Sequence, residues 1–173
     1  LIGRYRACRT PVWSGLHLRH WLVVRLVRLV PWSLFEGTEA KNAALRALGA
    51  RIGRRVHLHR GVDVLGGGWD LLEIGDDVTL GREVHLGTAE LDAGHLVLGP
   101  VRIGRGATFA TRAGCGPHVT IGDGAFVRPL AYVPAGRVVP PGEAWDGVPA
   151  RANGRAPAPA PLDVPGEVAP WFY

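Results

Sequence analysis

The sequence has no methionine, a single lysine (Lys41), two cysteines and no apolar run long enough to cross a bilayer. Each shortage excludes something. Two cysteines, Cys8 and Cys115, leave neither a disulfide framework nor a zinc site to expect. The most hydrophobic stretch, residues 13–30, is too short and too charged to span a membrane. Without methionine the chain lacks an initiator, so we expect an excised piece of a larger protein. Of 20 basic residues only one is lysine, and Ala, Gly and Pro abound. That balance matches a GC-rich, actinobacterial-type genome. The net charge of +5 suits an anionic partner. With no groove-reading motif, membrane proximity is favoured over nucleic acid.

What the sequence does have is a repeat. An aliphatic or similar residue recurs every sixth position from Ile52: Leu58, Val64, then Ile74, Leu80, Leu86, then Val97, Ile103, Phe109, Cys115, Ile121, Val127, Val133, Val139 and Trp145. Four residues after each, the chain is usually small or β-branched, as at Val56, Val78, Ala107, Ala113, Ala125 and Ala131. Glycine often follows directly, as at Gly53, Gly75, Gly104 and Gly122, and is expected to supply unusual turn angles. A period of six fits neither a helix nor a simple strand. It fits a short strand plus a tight turn, repeated three times per coil of a triangular solenoid. The first and fifth residues of each hexad then point inward and stack at the strand spacing of about 4.8 Å. No hexad buries its apolar face alone, so stacking supplies the core. The fold class is an all-β solenoid, a parallel β-helix of about five coils, preceded by two short helices.

The register breaks twice, after Val64 and after Leu86. Both breaks follow the third hexad of a coil, so both insertions leave one corner. The first carries Gly66 to Asp70, including Trp69. The second carries Glu90, Asp92 and His95. Adjacent loops on a rigid scaffold are a usual place for a site.

Three segments follow. Residues 1–51 form a helical cap or membrane-proximal segment, 52–151 the hexapeptide solenoid, and 152–173 a Pro/Ala-rich linker or tail. Residues 13–30 read as a helix stopped by Pro31, whose apolar face caps the open end of the solenoid or lies at a membrane interface beside Arg and Trp. A second helix starts at Thr38 as N-cap and ends at Gly49. Trp171, Phe172 and Tyr173 are expected to dock as an apolar plug or to begin a further element.

The repeats IGRRVH, IGDDVT, LGREVH, IGRGAT and IGDGAF, with the closing Gly147-Val148-Pro149-Ala150-Arg151, resemble the left-handed β-helix, hexapeptide-repeat acyltransferase superfamily. Left-handedness is implied by that resemblance, since crossovers in general are right-handed. The succession of VWSGLHLRHWLVVRLVRL, LRALGARIGRRVHLH, LVLGPVRIG, VPAG and PPGEAWDGVPA is similar, more specifically, to the C-terminal hexapeptide-repeat domains of single-module non-ribosomal peptide synthetases. The ε-poly-lysine synthetase type is the example. This resemblance implies an aminoacyl-transfer (condensation) domain that joins amino-acyl units presented on the phosphopantetheine arm of a carrier domain. It also implies sibling tandem domains or a homo-trimer as partners, and a place on the cytoplasmic side of a membrane-associated or integral membrane protein. No tightly bound cofactor and no metal are expected. The alternatives are an acyltransferase dependent on coenzyme A and a non-catalytic scaffold copy. The sequence has no Asn-Pro-x-x-His like that of sugar acetyltransferases, which weighs against acetyl coenzyme A.

Amide formation from a thioester needs a base for the amine and a group to hold the oxyanion. The sixth residue of its hexad, His85, should face outward with Asp63 one coil earlier and Thr108 one coil later. Asp63 and His85 then make a carboxylate–imidazole pair. His95, in the second insertion, is the other catalytic candidate. Trp69, Glu90, Asp92 and Arg151 are candidates for substrate or carrier binding. Glu90 falls in an inward small-residue slot, from which it must swing out or find a partner. Arg151 suits a phosphate of the carrier arm or coenzyme A. His57, His59 and His118 read as solvated.

Overall fold

The computed structural model describes residues 4–158. Three ladders of short parallel strands wind as a solenoid around one apolar core. In the first ladder Ile52, Ile74, Ile103, Ile121 and Val139 are stacked in register. In the second, Leu58, Leu80, Phe109, Val127 and Trp145 align. In the third, Leu86, Cys115 and Val133 align. Apart from the half-covered Trp145, these side chains are buried, as are Val56, Val62, Val78, Val84, Ala107, Ala113, Ala125 and Ala131. Both inward positions of the hexad are therefore occupied as the spacing requires.

Two details of the repeat differ from expectation. The left-handed backbone angle falls three residues after each inward residue, not directly after it. Arg55, Asp77, Glu83, Arg112, His118 and Leu130 adopt it, with Gly106, Gly124 and Gly136 at equivalent places. The glycine directly after the inward residue serves close approach instead. A Cβ on Gly75 would lie 2.9 Å from the backbone nitrogen of Arg105 in the next turn. The column Gly53, Gly75, Gly104 and Gly122 thus lets successive backbones stack at a corner.

The second difference concerns Val97. It is not a hexad position. After Leu86 the chain leaves the solenoid as an antiparallel hairpin, Ala89–Asp92 with His95–Leu98, and rejoins it at Val101–Ile103. Strand Cys8–Pro11 adds to the outer edge of this hairpin, opposite His95–Leu98. Leu96 and Leu98 are buried, and Val97 only half-buried. The period alone could not separate them, because a two-residue alternation crosses a six-residue one.

Helix α1 (Gly15–Arg28) does not cap the open end of the solenoid, where it was expected, and helix α2 (Glu39–Ala47), for which the sequence sets no place, does. Lys41 Nζ donates to the Val62 carbonyl at 2.9 Å, Asn42 Nδ2 to the Val56 carbonyl at 2.9 Å, and Arg46 Nε to the Ile52 carbonyl at 3.0 Å. These are the carbonyls of the first turn, which has no earlier turn to receive them. Instead, α1 lies over the corner of the insertions, where the buried His20 and Val24 meet Gly67. Thr38 precedes α2 as expected, but its hydroxyl donates back to Phe35 rather than capping the helix. No helix among the described residues is long and apolar enough to cross a membrane. At the other end, strand Arg151–Arg155 folds back antiparallel on Glu143–Asp146, so pairing continues beyond Ala152. Trp171, Phe172 and Tyr173 lie outside the described residues.

Several arginines of the solenoid pair with carboxylates one turn away, as in Arg55–Asp77 (2.6 Å), Arg112–Glu83 (2.6 Å) and Arg102–Glu73 (3.2 Å). Such exposed pairs fix register more than they add stability. The core carries the stability. Truncating Ile103 or Ile121 to Ala is expected to cost about 2–5 kcal/mol, because the narrow prism cannot collapse onto the void. Urea denaturation measures this, and a loss well under about 1 kcal/mol at both positions contradicts the inward register.

Candidate functional site

The third ladder carries an outward row of side chains beside the insertion corner. Asp63 bridges to His85, His85 aligns with Gly114, and Gly114 aligns with Tyr132. Asp63 Oδ2 lies 3.4 Å from His85 Nδ1, while Asp63 Oδ1 accepts from the Leu65 backbone N–H at 3.0 Å. Both side chains are about half exposed. The hydrogen bond with His85 outweighs the burial of the carboxyl and holds the Asp63 pKa down at about 2. An ionised carboxylate at Nδ1 places the ring proton there and leaves the Nε2 lone pair free. Nε2 points along the solenoid surface, 3.3 Å from where a Cβ on Gly87 would sit.

Three glycines, Gly87, Gly114 and Gly116, form a buried backbone shelf beneath His85, Tyr132 and Glu90. A Cβ on Gly114 would meet the Tyr132 ring at 3.2 Å. A Cβ on Gly116 would sit 3.2 Å from both Tyr132 Oη and Glu90 Oε2. His85 therefore borders one part of the shelf, and Tyr132 with Glu90 another. Burial, then the field of Glu90, pushes the Tyr132 hydroxyl up to about 12. It is a neutral donor at any physiological pH. The thiol of Cys115, beneath the shelf, is fully buried and also pushed up to about 12 by that burial. It does not act as a nucleophile. Lys41 binds the carbonyl of Val62 directly before Asp63 and is itself buried. Burial lowers its pKa, and the charges of Glu36 and Asp63 oppose that fall. The only lysine of the chain thus anchors the residue next to the dyad.

The sequence candidates separate in space. Asp63, His85 and Glu90 meet at the shelf. Glu90 does not occupy an inward slot; it is exposed, on the hairpin opposite Val97. His85 is followed one turn later by Gly114, not Thr108, because the hairpin displaces the phase. Asp92 and His95 pair beside the hairpin turn, with Asp92 bound to Arg9 at 3.3 Å and His95 Nδ1 3.0 Å from the Ala93 carbonyl oxygen. Trp69 is a core residue, 2% exposed, donating from Nε1 to the Val64 carbonyl at 2.9 Å. A ring so buried offers no surface for substrate. Arg151 is exposed and opposes Asp146 at the end of the second ladder; the N–H of the preceding Ala150 donates to the Tyr132 carbonyl at 2.7 Å. His57, His59 and His118 are exposed and away from the row. Tyr132 was missed by sequence reasoning. A period of three hexads from Gly114 leads to it once the hairpin is set aside.

No family model matches the sequence. The delta-poly-L-ornithine synthetase of Acinetobacter baumannii strain AB307-0294 is 34% identical over 153 residues, or 86% of this chain and 11% of that protein. The chain therefore spans a small part of the relative's length. Among solved structures, the maltose O-acetyltransferase of Clostridium difficile 630 matches with a TM-score of 0.59 at 20% identity, covering 88% of this chain and 94% of that one. The hexapeptide-repeat acetyltransferase of Vibrio cholerae O1 biovar eltor, solved with acetyl coenzyme A, matches with a TM-score of 0.57 at 18% identity, covering 85% and 92%. These likenesses give the fold: the left-handed β-helix of hexapeptide-repeat acetyltransferases.

The dyad makes a titration prediction. The Asp63 pKa is depressed from its ordinary 3.8 to about 2. Its contribution to stability is therefore complete above the ordinary carboxylate range and is lost as pH falls through about 2. Carboxyl-carbon NMR should show Asp63 titrating near the lower value. In His85→Ala its midpoint should move up towards 3.8. An unchanged midpoint means the imidazole does not hold the carboxylate.

Proposed function

We propose that this domain transfers an amino-acyl group from the phosphopantetheine thioester of a carrier domain to an acceptor amine, as a condensation domain of an amino-acid homopolymer synthetase. The observation that carries the reading is the Asp63–His85 pair beside a glycine shelf that also bears a neutral phenol. The 34% likeness to a poly-ornithine synthetase supports the aminoacyl substrate and a larger parent protein. In that setting the carrier domain, sibling domains or further copies of the chain are the partners, and the parent is membrane-associated.

The chemistry assigns each residue a task. The amine nitrogen attacks the thioester carbonyl carbon. The new C–N bond forms as the C–S bond breaks. His85 Nε2 takes the proton from nitrogen and returns it to the departing sulfur, so amide and free thiol result. Asp63 fixes the ring tautomer and stabilises the imidazolium between the two transfers. The Tyr132 hydroxyl donates to the oxygen on which negative charge develops. Arg151, exposed one residue beyond Ala150, suits a phosphate of the incoming arm.

An acyltransferase using coenzyme A is the second reading. It is favoured by the likeness in fold to an acetyltransferase solved with acetyl coenzyme A. A thermal shift with coenzyme A at low concentration supports that reading, and its absence supports the carrier.

Activity should follow the row. In the parent synthetase, with adenylation verified as intact, His85→Ala should slow polymer formation by about 10²–10⁴-fold. Tyr132→Phe should slow it by about 10²-fold or more. Parental rates in both variants would leave the domain a scaffold.

A further inference from the structure

The residues of the site row hang on one column of peptide groups. The Asp63 N–H donates to the Val84 carbonyl at 2.8 Å, His85 N–H to Ala113 at 3.1 Å, Gly114 N–H to Ala131 at 2.9 Å and Tyr132 N–H to Gly147 at 3.0 Å. The column begins at the Val62 carbonyl, which no earlier turn can serve. Lys41 Nζ donates to it at 2.9 Å. A peptide group is planar, so holding the Val62 oxygen and the Asp63 N–H fixes the plane from which Asp63 projects.

The neighbouring ladders end differently. The second ladder's column begins at the Val56 carbonyl and runs on through His57 N–H to Val78 and Thr79 N–H to Ala107, at 2.8 and 3.1 Å. There α2 supplies a neutral amide, Asn42 Nδ2, at 2.9 Å. In the first ladder, Arg46 serves the Ile52 carbonyl and stays exposed. A neutral or a solvated donor therefore suffices to end a column, and burying an ammonium is costly. Yet Lys41, the one lysine of the chain, is 2% exposed, and no other lysine or arginine is buried among the described residues. The carboxylates of Glu36 and Asp63 oppose the effect of that burial and favour its charged form. A charged donor holds a carbonyl more strongly than an amide does. The buried cation stands at the head of the column that bears the dyad.

From this arrangement we infer that Lys41 is a positioning residue for the dyad: its ammonium locks the Val62–Asp63 peptide so that the Asp63 carboxylate meets His85 Nδ1. The inference rests on the transfer reading for the role of His85, while the anchoring itself is read without turnover. Without the ammonium, the Val62 carbonyl turns towards another donor and the Asp63 side chain turns with it. The helix that closes the solenoid then also aligns the base.

The experiment is carboxyl-carbon NMR of the full chain in Lys41→Met and Asn42→Leu. Each variant removes the donor from one first-turn carbonyl, and both should lower the melting temperature. Only Lys41→Met should disturb the dyad. The Asp63 midpoint, held at about 2 by His85, should rise by about 0.5 or more in Lys41→Met and stay in place in Asn42→Leu. If Lys41→Met does not fold, Lys41→Gln, with a donor on a shorter neutral stem, is read in the same way. In the parent chain, the hydrogen bond should give a scalar coupling between Lys41 Nζ and the Val62 carbonyl carbon. In the parent synthetase, Lys41→Met should lower kcat by about 10- to 10²-fold at unchanged acceptor KM. An unmoved Asp63 midpoint in the folded variant overturns the inference. So does an equal rise in Asn42→Leu, an absent coupling, or a parental kcat in Lys41→Met where His85→Ala is slow. A midpoint that rises as expected, in a synthetase whose polymer yield is insensitive to His85→Ala, would instead overturn the transfer reading and leave the anchoring in place.

Discussion

Everything in this domain depends on successive turns stacking one strand spacing apart without slipping. Each turn gives its backbone N–H groups to the carbonyls of a neighbouring turn, as Gly53 to Ile74, Gly75 to Ile103 and Gly104 to Ile121. The glycine column allows that approach at the corner, and the inward aliphatic columns make it favourable. The first turn has carbonyls with no earlier turn to serve, and α2 satisfies them with Lys41, Asn42 and Arg46. The outward row Asp63, His85, Gly114 and Tyr132 follows directly from the same register. A slip by one residue would turn the row inward and the core outward.

The scaffold is rigid where it must hold the dyad and irregular only at one corner. Both insertions leave there, and α1 and strand Cys8–Pro11 pack over them. The hairpin then brings Glu90 over the glycine backbone of the shelf. The charge pattern is consistent with this division. Turn-to-turn pairs such as Arg55–Asp77 and Arg112–Glu83 lie on the regular surface, while Glu90 at the corner has no ion pair among the described residues.

Much of this was legible in the sequence, for a physical reason. Ile103, Ile121 and Val133 repeat at a spacing that only a stacked solenoid buries. Asp63 and His85 could be paired because both sit in the last place of equivalent hexads. The phase beyond Leu86 was not legible. Val97 lies at a permissible spacing, yet belongs to a hairpin whose own alternation buries Leu96 and Leu98. That shift hid Tyr132 and set Thr108 beside His85 in place of Gly114. Trp69 misled differently: a tryptophan in a glycine-rich insertion looks exposed, but here the insertion folds it back to fill the corner against Tyr5. The division of labour between α1 and α2 depended on tertiary hydrogen bonds that no local pattern records.

The central claim is that acyl transfer occurs on the glycine shelf under His85 Nε2. The most direct test is a pantetheine thioester bearing a chloroacetyl group, applied to a Cys8→Ser chain and mapped by peptide mass. The account predicts alkylation of His85, reduced when Gly114→Val pushes a side chain into the shelf. Alkylation of the exposed His57 and His59 with His85 untouched would contradict it.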